Sequence, residues 1–128
     1  MAKLDPFRSP QLRAQFIAKY DAVLDSWPVP YEECDVDTGF GTTHVIVTGP
    51  ASAPPLVLLH GATTTAMMWR PIIEPLSACY RCYCVDTITE PNKSVATRRA
   101  RGVTNLVAWL RQVFAALNVD DARVTGFS

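Results

Sequence analysis

From its amino end the chain alternates between segments with one apolar stripe and segments that are apolar throughout, and the switches mark its elements. Leu12, Phe16, Ile17, Tyr20, Val23, Leu24 and Trp27 recur at helical spacing behind Ser9-Pro10, a hydroxyl cap followed by a proline at the first helical position. Pro28 and Pro30 end that helix. Tyr31 to Val36 and Thr42 to Thr48 are strand-like, and Thr38-Gly39-Phe40-Gly41 supplies the glycines of a reversal, which predicts an antiparallel hairpin.

Past a loop of composition Gly49-Pro50-Ala51-Ser52-Ala53-Pro54-Pro55 the pattern changes. Leu56-Val57-Leu58-Leu59-His60 is a continuous apolar run, which suits a strand covered on both faces. A polar turn, a helical stretch from about Ala66 to Leu76 and a strand from about Arg81 to Asp86 follow. After a long loop from Thr87 to about Arg101, Val103, Leu106, Val107, Leu110, Val113, Phe114 and Leu117 form the clearest helical stripe. Asn118 to Asp121 make the exit turn, and Ala122 to Phe127 read as a last strand running into Ser128. Alternation of strand, helix and strand predicts an α/β fold with a doubly wound, mainly parallel sheet. Residues 1–30 are expected as an N-terminal helix and linker, and residues 31–128 as one α/β domain.

Composition changes this picture little. A chain of 128 residues can build one core, 48% of its positions are hydrophobic, and twelve basic residues balance twelve acidic ones. Nothing global points to nucleic acid, and Arg98, Arg99 and Arg101 read as a solvated helix entry. The start, Met1-Ala2-Lys3-Leu4-Asp5-Pro6, lacks a secretory apolar run, and no stretch approaches the roughly 18 apolar residues of a membrane span. A soluble, cytoplasmic protein without a membrane partner is the expectation. Cys79, Cys82 and Cys84 crowd together but lack a second C-x-x-C pair or a nearby histidine, so no metal is expected, and no cofactor either. Cys82 and Cys84, two apart, should share one face of a buried strand as small hydrophobes.

Active sites in open α/β sheets lie beyond the carboxyl ends of the strands, and three such ends are distinctive here. At His60-Gly61-Ala62, glycine permits a sharp turn and the Ala62 N–H can point at a developing oxyanion. At Val85-Asp86 a strand ends in a carboxylate, whose expected role is to bond loop N–H groups. At Gly126-Phe127-Ser128 the chain fits the first half of the nucleophile elbow, G-x-S-x-G.

Taken in order, Leu56-Val57-Leu58-Leu59-His60-Gly61-Ala62, Met68-Trp69, Val85-Asp86, Asn92-Lys93-Ser94 and Gly126-Phe127-Ser128 resemble the α/β-hydrolase fold family, particularly its bacterial carboxylesterase-like branch. The resemblance covers nearly the whole chain and implies the N-terminal half of that fold: a leading helix, an antiparallel hairpin and a mainly parallel sheet. It makes Ser128 the nucleophile and the Ala62 N–H one arm of the oxyanion hole, with Gly61, Thr63 and Trp69 at the substrate; Met67 and Met68 could join them or, like Trp69, pack in the core. His60 becomes a structural residue, and His44, inside an early strand, is expected to be remote from the site. The base and its acid partner follow the serine in this family, and neither is present up to Ser128. The loop after Asp86, Thr87-Ile88-Thr89-Glu90-Pro91-Asn92-Lys93-Ser94, departs from the Gly-x-Gly-x-Ser of many members and suits the carboxylesterase-like branch.

The resemblance thus implies a serine hydrolase acting on a small carboxylic ester, in which residues 1–128 alone are silent and self-associate or bind a complementing C-terminal half. A truncated hydrolase fold kept as a binding or assembly module is the alternative. A nucleotide-binding domain fails on its loops, since Gly61-Ala62-Thr63-Thr64-Thr65-Ala66-Met67 has neither G-x-G-x-x-G nor a Walker lysine.

Overall fold

A computed structural model describes residues 4–127 of the chain. Helix α1, Pro10–Asp25, begins where the sequence places it: Ser9 Oγ accepts the Leu12 N–H at 3.1 Å, and Pro10 fills the first turn. Strands β1, Tyr31–Thr38, and β2, Gly41–Thr48, form the expected hairpin, with Tyr31 opposite Thr48 and Thr38 opposite Gly41. Both strands run further into the reversal than the pattern suggests, because Gly39 and Phe40 alone make the turn.

Strand β3, Pro55–Leu59, leads through a 3-10 turn at Ala66–Trp69 into α2, Arg70–Cys79. The single helical stretch expected from Ala66 to Leu76 is therefore two pieces. Strand β4, Arg81–Val85, a two-residue strand β5, Val95–Ala96, helix α3, Gly102–Leu117, and strand β6, Arg123–Gly126, complete the order. The sheet runs β1-β2-β4-β3-β6, with β5 paired to β2. Its β4-β3-β6 core is parallel, whereas β2 meets β1, β4 and β5 antiparallel. This is the α/β arrangement expected from the strand and helix alternation.

Alternation along the central strands divides the core in two. Leu56 and Leu58 of β3 and Cys82 and Cys84 of β4 face α1 and α2, where they pack with Tyr20, Leu24, Trp27, Trp69 and Ile73. Burial pushes the Cys82 thiol up to about 11, so it behaves as an apolar filler. Val57 and Val85 face α3 on the other side, with Val45, Val47, Trp109 and Val113. Trp109 lies outside the predicted stripe, yet it is buried and its indole N–H donates to Thr43 Oγ1 at 2.8 Å. The first turns of the stripe remain uncovered: Val103, Leu106 and Val107 are exposed among the described residues. Among those residues no helix is long and apolar enough to cross a membrane.

The hairpin depends on Gly41, whose φ of +129° lies where side chains strain and whose added Cβ would fall 2.1 Å from the Val95 carbonyl oxygen. Gly39, two residues earlier, would meet nothing nearer than the flexible Gln112 side chain at 3.4 Å. Gly41→Ala should destabilise the fold by about 2 kcal/mol or more, and Gly39→Ala by well under half of that. Urea unfolding midpoints of the two variants check this ordering, and equal midpoints would refute it.

Candidate active site

The carboxyl ends of β3, β4 and β6 lie along one edge of the sheet, as their parallel registers require. At that edge the turn after β3 is held from three sides. His60 is buried; its Nε2 accepts the Thr87 N–H at 3.0 Å, so the ring proton is on Nδ1, which donates to the Gly61 carbonyl at 2.9 Å. Thr64 Oγ1 donates to the same carbonyl at 2.6 Å, and the Gly61 N–H reaches Met68 Sδ at 3.4 Å. His60 thus ties the turn after β3 to the loop after β4. With both ring nitrogens engaged, it holds structure in place.

Gly61 explains itself by what it touches. A Cβ there would stand 2.9 Å from the Phe127 carbonyl oxygen and 3.3 Å from the Phe127 ring. The turn after β3 and the end of β6 therefore approach at backbone distance, and the Phe127 N–H donates to the Leu59 carbonyl at 3.1 Å. Ser128, the expected nucleophile, lies outside the described residues. Ala62 is exposed beside this contact, and no described residue accepts a hydrogen bond from its N–H. Thr63, also exposed, has φ of +63° and turns the chain back toward the 3-10 segment. Trp69 sits lower: it is 5% exposed and packs in the core with Leu58, Ala66 and Ile73, supporting the turn from beneath rather than presenting a surface to solvent. A cavity of about 380 Å³ opens at this edge between Ala62, His60, Thr87 and the exposed first turns of α3.

Asp86, the carboxylate that follows β4, is fully buried and uses both oxygens. Oδ1 accepts the Ala66 N–H at 2.9 Å, which is the loop-bonding role the sequence suggests. Oδ2 accepts the Tyr20 hydroxyl at 2.7 Å and lies 2.9 Å from Nδ1 of His44. Burial, then the neighbouring Asp86 charge, pushes the Tyr20 hydroxyl far above its ordinary range, so it stays a donor. The backbone of Asp86 is engaged as well: its N–H donates to the His44 carbonyl at 2.9 Å, and its carbonyl accepts Ser94 Oγ at 2.6 Å. Asn92, fully buried, donates to the Thr87 carbonyl at 2.9 Å and accepts the Ser94 N–H at 2.8 Å, which fixes the loop after β4.

His44 is thus part of the scaffold of this edge, two hydrogen bonds away from the turn at Ala66, and not the isolated strand residue its position suggests. A signal for it existed in the sequence: a histidine inside the otherwise apolar and hydroxyl run Thr42-Thr43-His44-Val45-Ile46-Val47 needs a buried polar partner. Which residue would meet it was not readable, because Asp86 is 42 positions away.

No protein-family model matches the chain. Carboxylesterase YbfK of Bacillus subtilis is 38% identical over 114 residues, which are 89% of this chain and 38% of that protein. The crystal structure of that carboxylesterase, CesB (YbfK), superposes with a TM-score of 0.90 at 36% identity over 92% of this chain and 41% of its own. The crystal structure of naproxen esterase (carboxylesterase NP) from Bacillus subtilis superposes with a TM-score of 0.88 at 40% identity, over 96% of this chain and 43% of its own. The chain spans about two fifths of the length of these relatives. By architecture it carries a part of the α/β-hydrolase fold, and by sequence it is similar over nearly its whole length to these carboxylesterases.

Proposed function

We propose that this chain is the part of a serine carboxylesterase that supplies the nucleophile, Ser128, and the first oxyanion donor, the N–H of Ala62. The observation that carries this reading is the backbone contact of Gly61 with Phe127, since a nucleophile following Phe127 starts beside the turn that holds Ala62. An N–H fixed before reaction stabilises the tetrahedral oxyanion without reorganising. Gly61 keeps that approach open, and Thr63 borders the ester on the exposed side of the turn. Trp69 contributes by holding the turn from below. A small carboxylic ester is the substrate class: the Ser128 oxygen attacks its carbonyl carbon as the general base takes the hydroxyl proton, the alcohol leaves with that proton as the ester C–O bond breaks, and water then hydrolyses the acyl-enzyme to the acid and free serine.

The hydroxyl needs a general base, and neither histidine of the chain is available for that task. His60 is occupied by Thr87 and Gly61, and His44 by Asp86 and Glu33. Base and acid orienter are therefore assigned to polypeptide beyond these residues, as is the second oxyanion donor from the residue after the serine. The exposed Val103, Leu106 and Val107 of α3, with Val124 of β6 and Phe127 just beyond it, form the surface on which that polypeptide packs. Nothing in this scheme calls for a metal or cofactor.

In the protein that carries this sequence at full length, a fluorophosphonate probe should label Ser128, and Ser128→Ala should lower kcat/KM for a chromogenic ester by about 10⁴-fold or more. Ester turnover unchanged in that variant would remove the assignment. Gly61→Ala should lower kcat by about 10- to 100-fold, because the added methyl forces the donor turn away from Phe127; wild-type kcat in a folded Gly61→Ala protein would show that this contact does not build the site. Residues 1–128 alone should give no turnover and should elute from a sizing column above monomer size, through the uncovered α3 and β6 surface. A monomeric elution with Ser128-dependent turnover would contradict both expectations.

A further inference from the structure

The catalytic scheme makes no use of His44, although it is 4% exposed in the middle of the sheet. Its two ring nitrogens face two carboxylates: Nδ1 lies 2.9 Å from Asp86 Oδ2, and Nε2 lies 2.9 Å from Glu33 Oε1. An ionised carboxylate only accepts, so each contact needs a proton on the nitrogen. A neutral imidazole carries one N–H and would set its bare lone pair against the other carboxylate. We propose that His44 is a buried imidazolium and a positioning residue, which holds the Asp86 carboxylate against the Ala66 N–H and so fixes the turn from Gly61 to Ala66 that presents the oxyanion donor. The catalytic consequence rests on the serine-hydrolase reading; the charge on His44 and its grip on the turn do not.

Every element packed around the ring contributes to its charge state. From α1 come the Tyr20 hydroxyl, 3.3 Å from Nδ1, and Asp21 and Arg13 nearby. From β1 come Glu33 and Asp35, the latter directly opposite His44 in the hairpin register. Asp86 approaches from the end of β4, and Lys93 from the following loop bonds Glu33 at 2.9 Å and pairs with Asp21. Burial pulls the His44 value down, but the hydrogen bonds and charges of Asp86 and then Glu33 outweigh it, and the net direction is up. Glu33 moves oppositely: burial raises it, and the hydrogen bonds of Lys93 and His44 bring it below its ordinary value.

The pH dependence follows in sign. A histidine raised in the folded state contributes stability that is fully present below the ordinary histidine value and is lost as pH rises through the raised one. Glu33, depressed, contributes stability that is present above the ordinary glutamate value and is lost as pH falls through the lower one. The turn should therefore loosen at alkaline pH, as His44 gives up its proton.

Nitrogen NMR of the chain labelled at histidine tests the charge directly. At neutral pH His44 should show two ring N–H groups. In His44→Gln, amide exchange at Ala66 should accelerate roughly tenfold more than in β3 and β4, since a charge-held hydrogen bond is lost locally. Glu33→Gln should lower the pH at which His44 loses its proton while leaving Ala66 protected, and it keeps the proposal testable should His44→Gln fail to fold. A single ring N–H on His44 at neutral pH, unchanged His44 titration in Glu33→Gln, or uniform acceleration of all amides in His44→Gln would each overturn the proposal. None of these measurements involves ester, so their failure leaves the Ser128 assignment standing, and loss of that assignment leaves them unaffected.

Discussion

A single buried carboxylate organises this end of the molecule. Asp86 has no exposed surface, and a charge placed there is tolerable only when both of its oxygens find donors. The donors come from three directions: a helix hydroxyl, a strand imidazole and a turn amide. Removing one partner of such a group typically costs about 3–5 kcal/mol, because the remaining charge is stranded. The leading helix, the antiparallel edge of the sheet and the turn after β3 are thus fixed to one point.

That anchoring suits the proposed site, which is made chiefly of backbone. An amide donor is useful only if its direction is set before substrate arrives, and the turn carrying Ala62 is short, exposed and contains a left-handed threonine. Its rigidity is borrowed from below, from His60 bridging to Thr87, from Asp86 on Ala66 and from Trp69 in the core. The carboxylesterase relatives share this architecture over about two fifths of their length, a segment in which the turn after β3 and the end of β6 are brought side by side.

Much of this was legible in the sequence because it depends on local periodicity. The apolar run at Leu56–Leu59, the two-residue spacing of Cys82 and Cys84, and the Ser9 cap each state a physical requirement within a few positions. The parallel adjacency of β3 with β4 and β6 followed from the alternation of elements. What stayed hidden depends on distant or competing constraints. The meeting of His44 with Asp86 is set by the sheet order, which places β2 beside β4. Helix α2 starts later than its apolar pattern suggests because Thr65 caps a separate 3-10 turn at Met67, ahead of Pro71 in the first turn of the helix. The stripe on α3 reads as one face, yet its first turns are exposed, and Trp109, outside the stripe, is buried alongside Val113.

The sheet order also says something about how the chain is made. Strand β4 sits between β2 and β3, so as the polypeptide emerges from the ribosome, β2 and β3 are both synthesised before the strand that joins them. Until Arg81–Val85 is out, β3 has no partner and one edge of β2 is bare, and two of the most apolar segments of the chain are exposed together. The carboxylate that locks the assembly is the next residue after that strand. A nascent chain from which Arg81–Val85 has not yet emerged therefore carries two unpaired apolar strands, and the parallel and antiparallel halves of the sheet join only when that strand arrives.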